Sequence, residues 1–102
     1  MANTFKNYTG NAVGTSATTV YTVPASTVGV VIGLNLSNLL TSQITVDVAM
    51  AGTYVVKGAP IPAGSALSVL DGKIIMQAGE ALQVTASDAS AVDIILSVLE
   101  QS

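Results

Sequence analysis

The stretch Thr27-Val28-Gly29-Val30-Val31-Ile32-Gly33-Leu34-Asn35-Leu36-Ser37 decides the fold of this chain. Val28, Val30, Ile32, Leu34 and Leu36 share one parity, and the residues between them are small or polar apart from Val31. Side chains on a strand point alternately to opposite faces, so this pattern predicts a strand with one buried face. The same alternation returns at Ile44, Val46, Val48 and Met50, at Leu82, Val84 and Ala86, and at Val92, Ile94, Leu96 and Val98. The cleanest of these positions, Ile32, Leu34, Val46, Val48, Val84, Ile94 and Leu96, are expected to form one core.

Working outward, 18–23 is rich in β-branched residues and predicts a first strand, which Pro24 ends because it cannot donate to a ladder. Further strands are expected over 27–36, 43–50, 53–57, 66–70, 73–76, 80–86 and 91–99, with Asp71-Gly72 as a hairpin turn. About eight short strands separated by turns indicate an antiparallel β-sandwich, jelly-roll or Ig-like. Residues 1–17, with no sustained period, are expected to be an extended N-terminal arm, and 18–102 a single sandwich domain.

Composition narrows function by exclusion. The 102 residues are 50% hydrophobic but 9% charged, far below the ~25% usual for a soluble domain. There is no His, Cys, Arg or Trp, which removes Ser-His-Asp triads, Cys-His dyads and the usual zinc sites. Lys6, Lys57 and Lys73 are too few to neutralise a phosphate backbone, so no nucleic-acid partner is expected. Asp47, Asp71 and Asp93 occupy turn or polar-parity positions where a solvated carboxylate belongs, and Ser87-Asp88-Ala89-Ser90 is a weak calcium signal. No catalytic residue, cofactor or metal site is therefore expected, and the chain is read as non-enzymatic. No apolar run reaches the ~18 residues of a membrane span, so no membrane partner is expected. The opening Met1-Ala2-Asn3-Thr4-Phe5-Lys6 lacks a signal-peptide h-region, which suggests synthesis and folding in a cytoplasm.

What remains is protein-to-protein contact. Val31, Val55, Ile75, Ile95 and Leu99 are apolar on the parity that should face water, and they suggest a subunit interface, since interface cores are depleted in charge. The competing reading tucks them under loops at strand ends. A homo-oligomer follows from the first reading, a trimer before a dimer. Phe5 and Tyr8 are the large residues of the arm and the candidates for docking it on a neighbour.

The run Thr19-Val20-Tyr21-Thr22-Val23-Pro24-Ala25 resembles the opening strand of small virion proteins of tailed bacteriophages. Gly58-Ala59-Pro60-Ile61-Pro62-Ala63-Gly64-Ser65, Asp71-Gly72-Lys73-Ile74, Ala78-Gly79-Glu80 and Val92-Asp93-Ile94-Ile95-Leu96-Ser97-Val98 are similar to the same group. The resemblance runs over residues 19–99. It implies a β-sandwich assembled in symmetric sets on the particle, with other virion proteins (coat or tail subunits) as partners, and it brings no catalytic or cofactor residue. The function it implies is a capsid decoration protein that stabilises coat-subunit contacts, located in the virion after synthesis in the host cytoplasm. A tail, neck or baseplate component is the alternative, and a host receptor- or glycan-binding module is a more distant one.

Overall fold

The computed structural model describes residues 3–69 and 73–102. Nine strands follow in chain order: β1 (Asn3–Val13), β2 (Thr18–Thr22), β3 (Val28–Asn38), β4 (Ile44–Met50), β5 (Thr53–Ile61), β6 (Ala66–Ser68), β7 (Ile74–Met76), β8 (Ala81–Ala86) and β9 (Val92–Gln101). They form two antiparallel sheets. One runs β1-β9-β3-β6, with β7 also on β3, and the other runs β2-β8-β4-β5.

Antiparallel alternation explains the packing of the sheets. Ile44, Val46 and Val48 of β4, Leu82 and Val84 of β8, and Ile94, Leu96 and Val98 of β9 are all buried, with one exposed or half-buried residue between each pair. Each such side chain contributes roughly 1.5–3 kcal/mol before the entropy of ordering is subtracted. The expected sandwich is thus present, and its connectivity is that of a jelly roll. β1-β9 in one sheet lies over β2-β8 in the other, and most connections change sheet. The β4–β5 connection stays within a sheet as a two-residue hairpin, in which Met50 pairs with Thr53 across Ala51 and Gly52.

β6 and β7 behave as one interrupted strand. β6 pairs with Asn35–Ser37 and β7 with Gly29–Val31, both antiparallel, so they lie end to end along β3. They do not face each other as the two arms of the hairpin expected from sequence. Asp71-Gly72 itself, and Leu70 at the end of the expected 66–70 strand, lie outside the described residues.

Residues 3–13, expected within the arm, are an edge strand of the sandwich. β1 pairs with β9 from Asn3↔Gln101 to Gly10↔Ile94, and again at Val13↔Val92 after a bulge. Ala12 sits in the bulge at φ 50°, and its N–H donates to Asp93 Oδ1 at 2.8 Å. Apolar alternation misses this strand because its core-side parity carries polar Thr4 and Lys6, exposed at the sheet edge and opposite Glu100 and Val98.

The deciding stretch itself changes parity midway. The register of β3 against β9 shifts between Val31 and Gly33, so two residues of β3 oppose one of β9. Gly29 and Val31 point inward before the bulge, and Leu34 and Leu36 after it. Ile32, expected in the core, is therefore turned outward and is 41% exposed, whereas the other six expected core residues are buried.

The apolar loop after β3 is held from inside. Asn38 is buried, its Nδ2 donates to the carbonyls of Ser42 and Ile61 at 2.9 Å each and of Pro62 at 3.2 Å, and its Oδ1 accepts from Leu40 N–H at 2.8 Å. That side chain replaces a ladder where β3 leaves its sheet. Leu40 packs against the core beside it, while Leu39 remains exposed.

Candidate interaction surface

The outer face of the β1-β9-β3 sheet is built from residues that pair directly across strands and therefore project to the same side. Phe5 pairs with Leu99, Leu99 with Val30, and Val30 with Ile75, giving one apolar row across four strands. Phe5 is 73% and Ile75 64% exposed. Two residues along the strands, Asn7 pairs with Ser97 and Ser97 with Gly33, with Ile32 displaced outward by the bulge. A further step brings Thr9, Ile95 and Asn35 into line, with Ile95 half exposed. None of these positions carries a charge.

The middle row is a depression. A side chain at Gly33 would meet nothing closer than Ser97 Cβ at 3.8 Å, so the space above it is open. The hollow, about 760 Å³, is lined by Phe5, Lys6, Asn7, Tyr8, Ile32, Ser97 and Val98. Phe5 thus stands as a knob at the rim of a shallow hole.

Beside the apolar row, Glu100 is buried and paired with Lys6, whose side chain is 46% exposed. Glu100, 6% exposed, accepts hydrogen bonds from the Tyr21 hydroxyl at 2.7 Å and the Tyr8 hydroxyl at 3.1 Å, and pairs with Lys6 Nζ at 3.1 Å. The rings of Tyr8 and Tyr21 stack tilted at 4.6 Å. The Tyr21 phenol holds the Glu100 carboxyl below the ordinary 4.5, against the opposing effect of burial, with Lys6 and Tyr8 assisting. Burial and the adjacent carboxylate push both phenols above 10, and Glu100 raises Lys6 above 10.5. This four-residue cluster pins β1 to β9 and to β2 of the opposite sheet.

The cluster explains what becomes of the two arm residues. Phe5 and Tyr8 are an odd number of positions apart, so they project to opposite faces of β1. Phe5 is free on the outer face, while Tyr8 docks within its own chain on Tyr21 and Glu100.

The five interface candidates separate in the same way. Ile75, Ile95 and Leu99 share the outer face described above, with Ile75 and Ile95 exposed and Leu99 half-buried. Val31 is buried at 2% exposure, because it precedes the bulge that reverses parity. Val55 is half-buried on β5 of the other sheet. Ile32 and Val30 belong to the surface but escaped the sequence reading, which assigned their parity to the core. The Glu100 cluster escaped it too, because its members come from three distant strands and share no spacing.

Asp47 and Lys57 make contacts on the other sheet. Asp47 Oδ1 accepts from Gly58 N–H at 2.7 Å, stabilising the β5 backbone where Gly58 takes φ 66°. Lys57 reaches Asp47 at 3.8 Å and lies 4.5 Å over the Tyr54 ring. Among the described residues there is no group of three or more His, Cys, Asp or Glu positioned to hold a metal ion. No protein-family model matches the chain, and no curated protein matches it either.

Proposed function

We propose that this chain is a structural, non-enzymatic protein of a tailed-phage particle, working as a capsid decoration protein that binds neighbouring coat subunits. The observation that carries the reading is the outer face of the β1-β9-β3 sheet, where Phe5, Leu99, Val30 and Ile75 form an uncharged apolar row. An exposed apolar row of this kind supports a role in contact with other protein. The sparse charge of the chain and its resemblance over residues 19–99 to small virion proteins support the same conclusion.

Contacts made by such a protein depend on shape and apolar burial, so they persist when salt screens charge. The test is to strip the protein from purified particles, add it back over a range of salt, and image the particles. Density on the capsid that survives high salt is expected. Density only at the tail, neck or baseplate would move the protein to that station, and absence from the particle would overturn the reading.

A further inference from the structure

We infer that the outer face of the β1-β9-β3-β7 sheet pairs with the same face of a second copy of this chain, about a two-fold axis, with Phe5 of each copy seated in the hollow between Asn7, Ile32 and Ser97 of the other. Shape, charge and area each bear on the identity of the occupant.

Shape comes first. Among the described residues Phe5 is the most exposed large hydrophobic side chain, and it stands beside the hollow lined by Asn7, Ile32 and Ser97. A knob and a hole adjacent on one surface are self-complementary, because a two-fold passing between them places each knob over the partner's hole. Such an isologous contact satisfies both copies at once and closes the assembly.

Charge agrees. The chain carries a net charge of -3, which would oppose self-association through most surfaces. The apolar row itself carries no charge, and the charged residues of β1 and β9 beside it pair with each other, Glu100 buried and Lys6 half exposed at the sheet edge. Two copies therefore meet here with no charge in the apolar row, Asp93 on β9 and Lys73 just before β7 lying toward the margin of the face.

Area is sufficient. Four strands about 4.8 Å apart and the rows from Asn3 to Thr9 at about 3.4 Å per residue, with side-chain overhang, span roughly 20 Å by 25 Å. Pairing two such faces buries about 1,000 Å², the lower bound for a specific interface. Phe5, Leu99, Val30, Ile32 and Ile75 supply its apolar part, with polar Asn7 and Ser97 among them.

The inference uses the face on which the proposed function rests but needs no particle, so the two fail separately. The purified chain is measured by light scattering across a wide concentration range, alongside Phe5→Ser, Ile95→Lys and, as a control on the other sheet, Tyr54→Ser. All three residues are well exposed, so thermal melts of the variants at low concentration are expected to match the parent. The parent is expected to show a two-copy mass, with Phe5→Ser and Ile95→Lys each weakening pairing about tenfold or more and Tyr54→Ser leaving it unchanged. A single-copy mass at every concentration, a three-copy mass, or a pair insensitive to both face substitutions would overturn the inference. The last result would assign pairing to another surface, such as the free edge of β1. Failure here leaves the face open for a coat subunit, and loss of the particle reading leaves the pair intact.

Discussion

Gly29 on β3 lies so close beneath Tyr21 on β2 that a Cβ there would meet the phenol oxygen at 2.9 Å. That oxygen cannot swing aside freely, because it donates to Glu100 at 2.7 Å. The absent side chain at position 29 is thus part of the buried carboxylate site, and it leaves room for the Tyr21–Glu100 hydrogen bond that joins the two sheets.

Gly29→Ala should therefore cost about 1–3 kcal/mol through overpacking. In a Tyr21→Phe background the closest atom is gone, leaving the ring carbon at 3.3 Å and a Val23 methyl at 3.4 Å. The cost of the same substitution should fall by about 1 kcal/mol, a coupling within the range for residues in contact. Denaturant melts of the two single variants and the double variant measure it, and strict additivity would show that the phenol oxygen is not the obstacle.

The Glu100 cluster predicts a stability plateau with two limbs. Glu100 is held below 4.5 in the folded chain, so its contribution is present above the unfolded value and lost as pH falls through the folded one. Tyr8 and Tyr21 are held above 10 and Lys6 above 10.5, so theirs is present below those values and lost as pH rises beyond them. Glu100→Gln should lower stability at neutral pH by roughly 2–3 kcal/mol, since hydrogen bonds to a buried charge are replaced by weaker ones. It should also flatten the acid limb below pH 4.5. Urea melts across pH would show this, and an unchanged acid limb in the variant would assign acid sensitivity to other carboxylates.

The bulge in β3 separates neighbouring apolar residues by consequence. Leu34→Ala and Ile94→Ala should each cost about 2–5 kcal/mol, through lost transfer energy and a cavity. Ile32→Ala should cost under about 1 kcal/mol despite sharing the parity of Leu34, because it is exposed. Comparable losses at Ile32 and Leu34 in the monomer would mean that the strand runs without the bulge.

The β4–β5 turn carries avoidable strain. Ala51 and Gly52 are both left-handed, at φ 51° and 77°, as a type I′ hairpin requires, but alanine is poorly suited to the first position. Ala51→Asn should stabilise the protein by about 0.5–1 kcal/mol, seen as a rise of a few degrees in Tm. A fall in Tm would indicate that Ala51 makes a contact that outweighs its backbone cost.

Period-two alternation in this sequence determined most of the strands and the sandwich class by itself. Val46, Val48, Val84, Ile94 and Leu96 could be assigned inward because each lies on an unbroken strand where every step reverses the face. The near absence of charge and of reactive side chains also sufficed to steer the reading from catalysis toward contact with protein. Tertiary structure decided the rest. A one-residue bulge exchanged the faces of Val31 and Ile32, and nothing local announces it, since it arises from the register of β3 against β9. The edge strand β1 was invisible to alternation because Lys6 and Tyr8 on its core-side parity are polar-tipped, and their partner Glu100 waits on a strand some ninety residues away. The apolar row Phe5–Leu99–Val30–Ile75 draws one residue from each of four strands, so it exists only once those strands are in register. Period belongs to one segment, whereas a face, a buried ion cluster and a surface belong to the pairing of several.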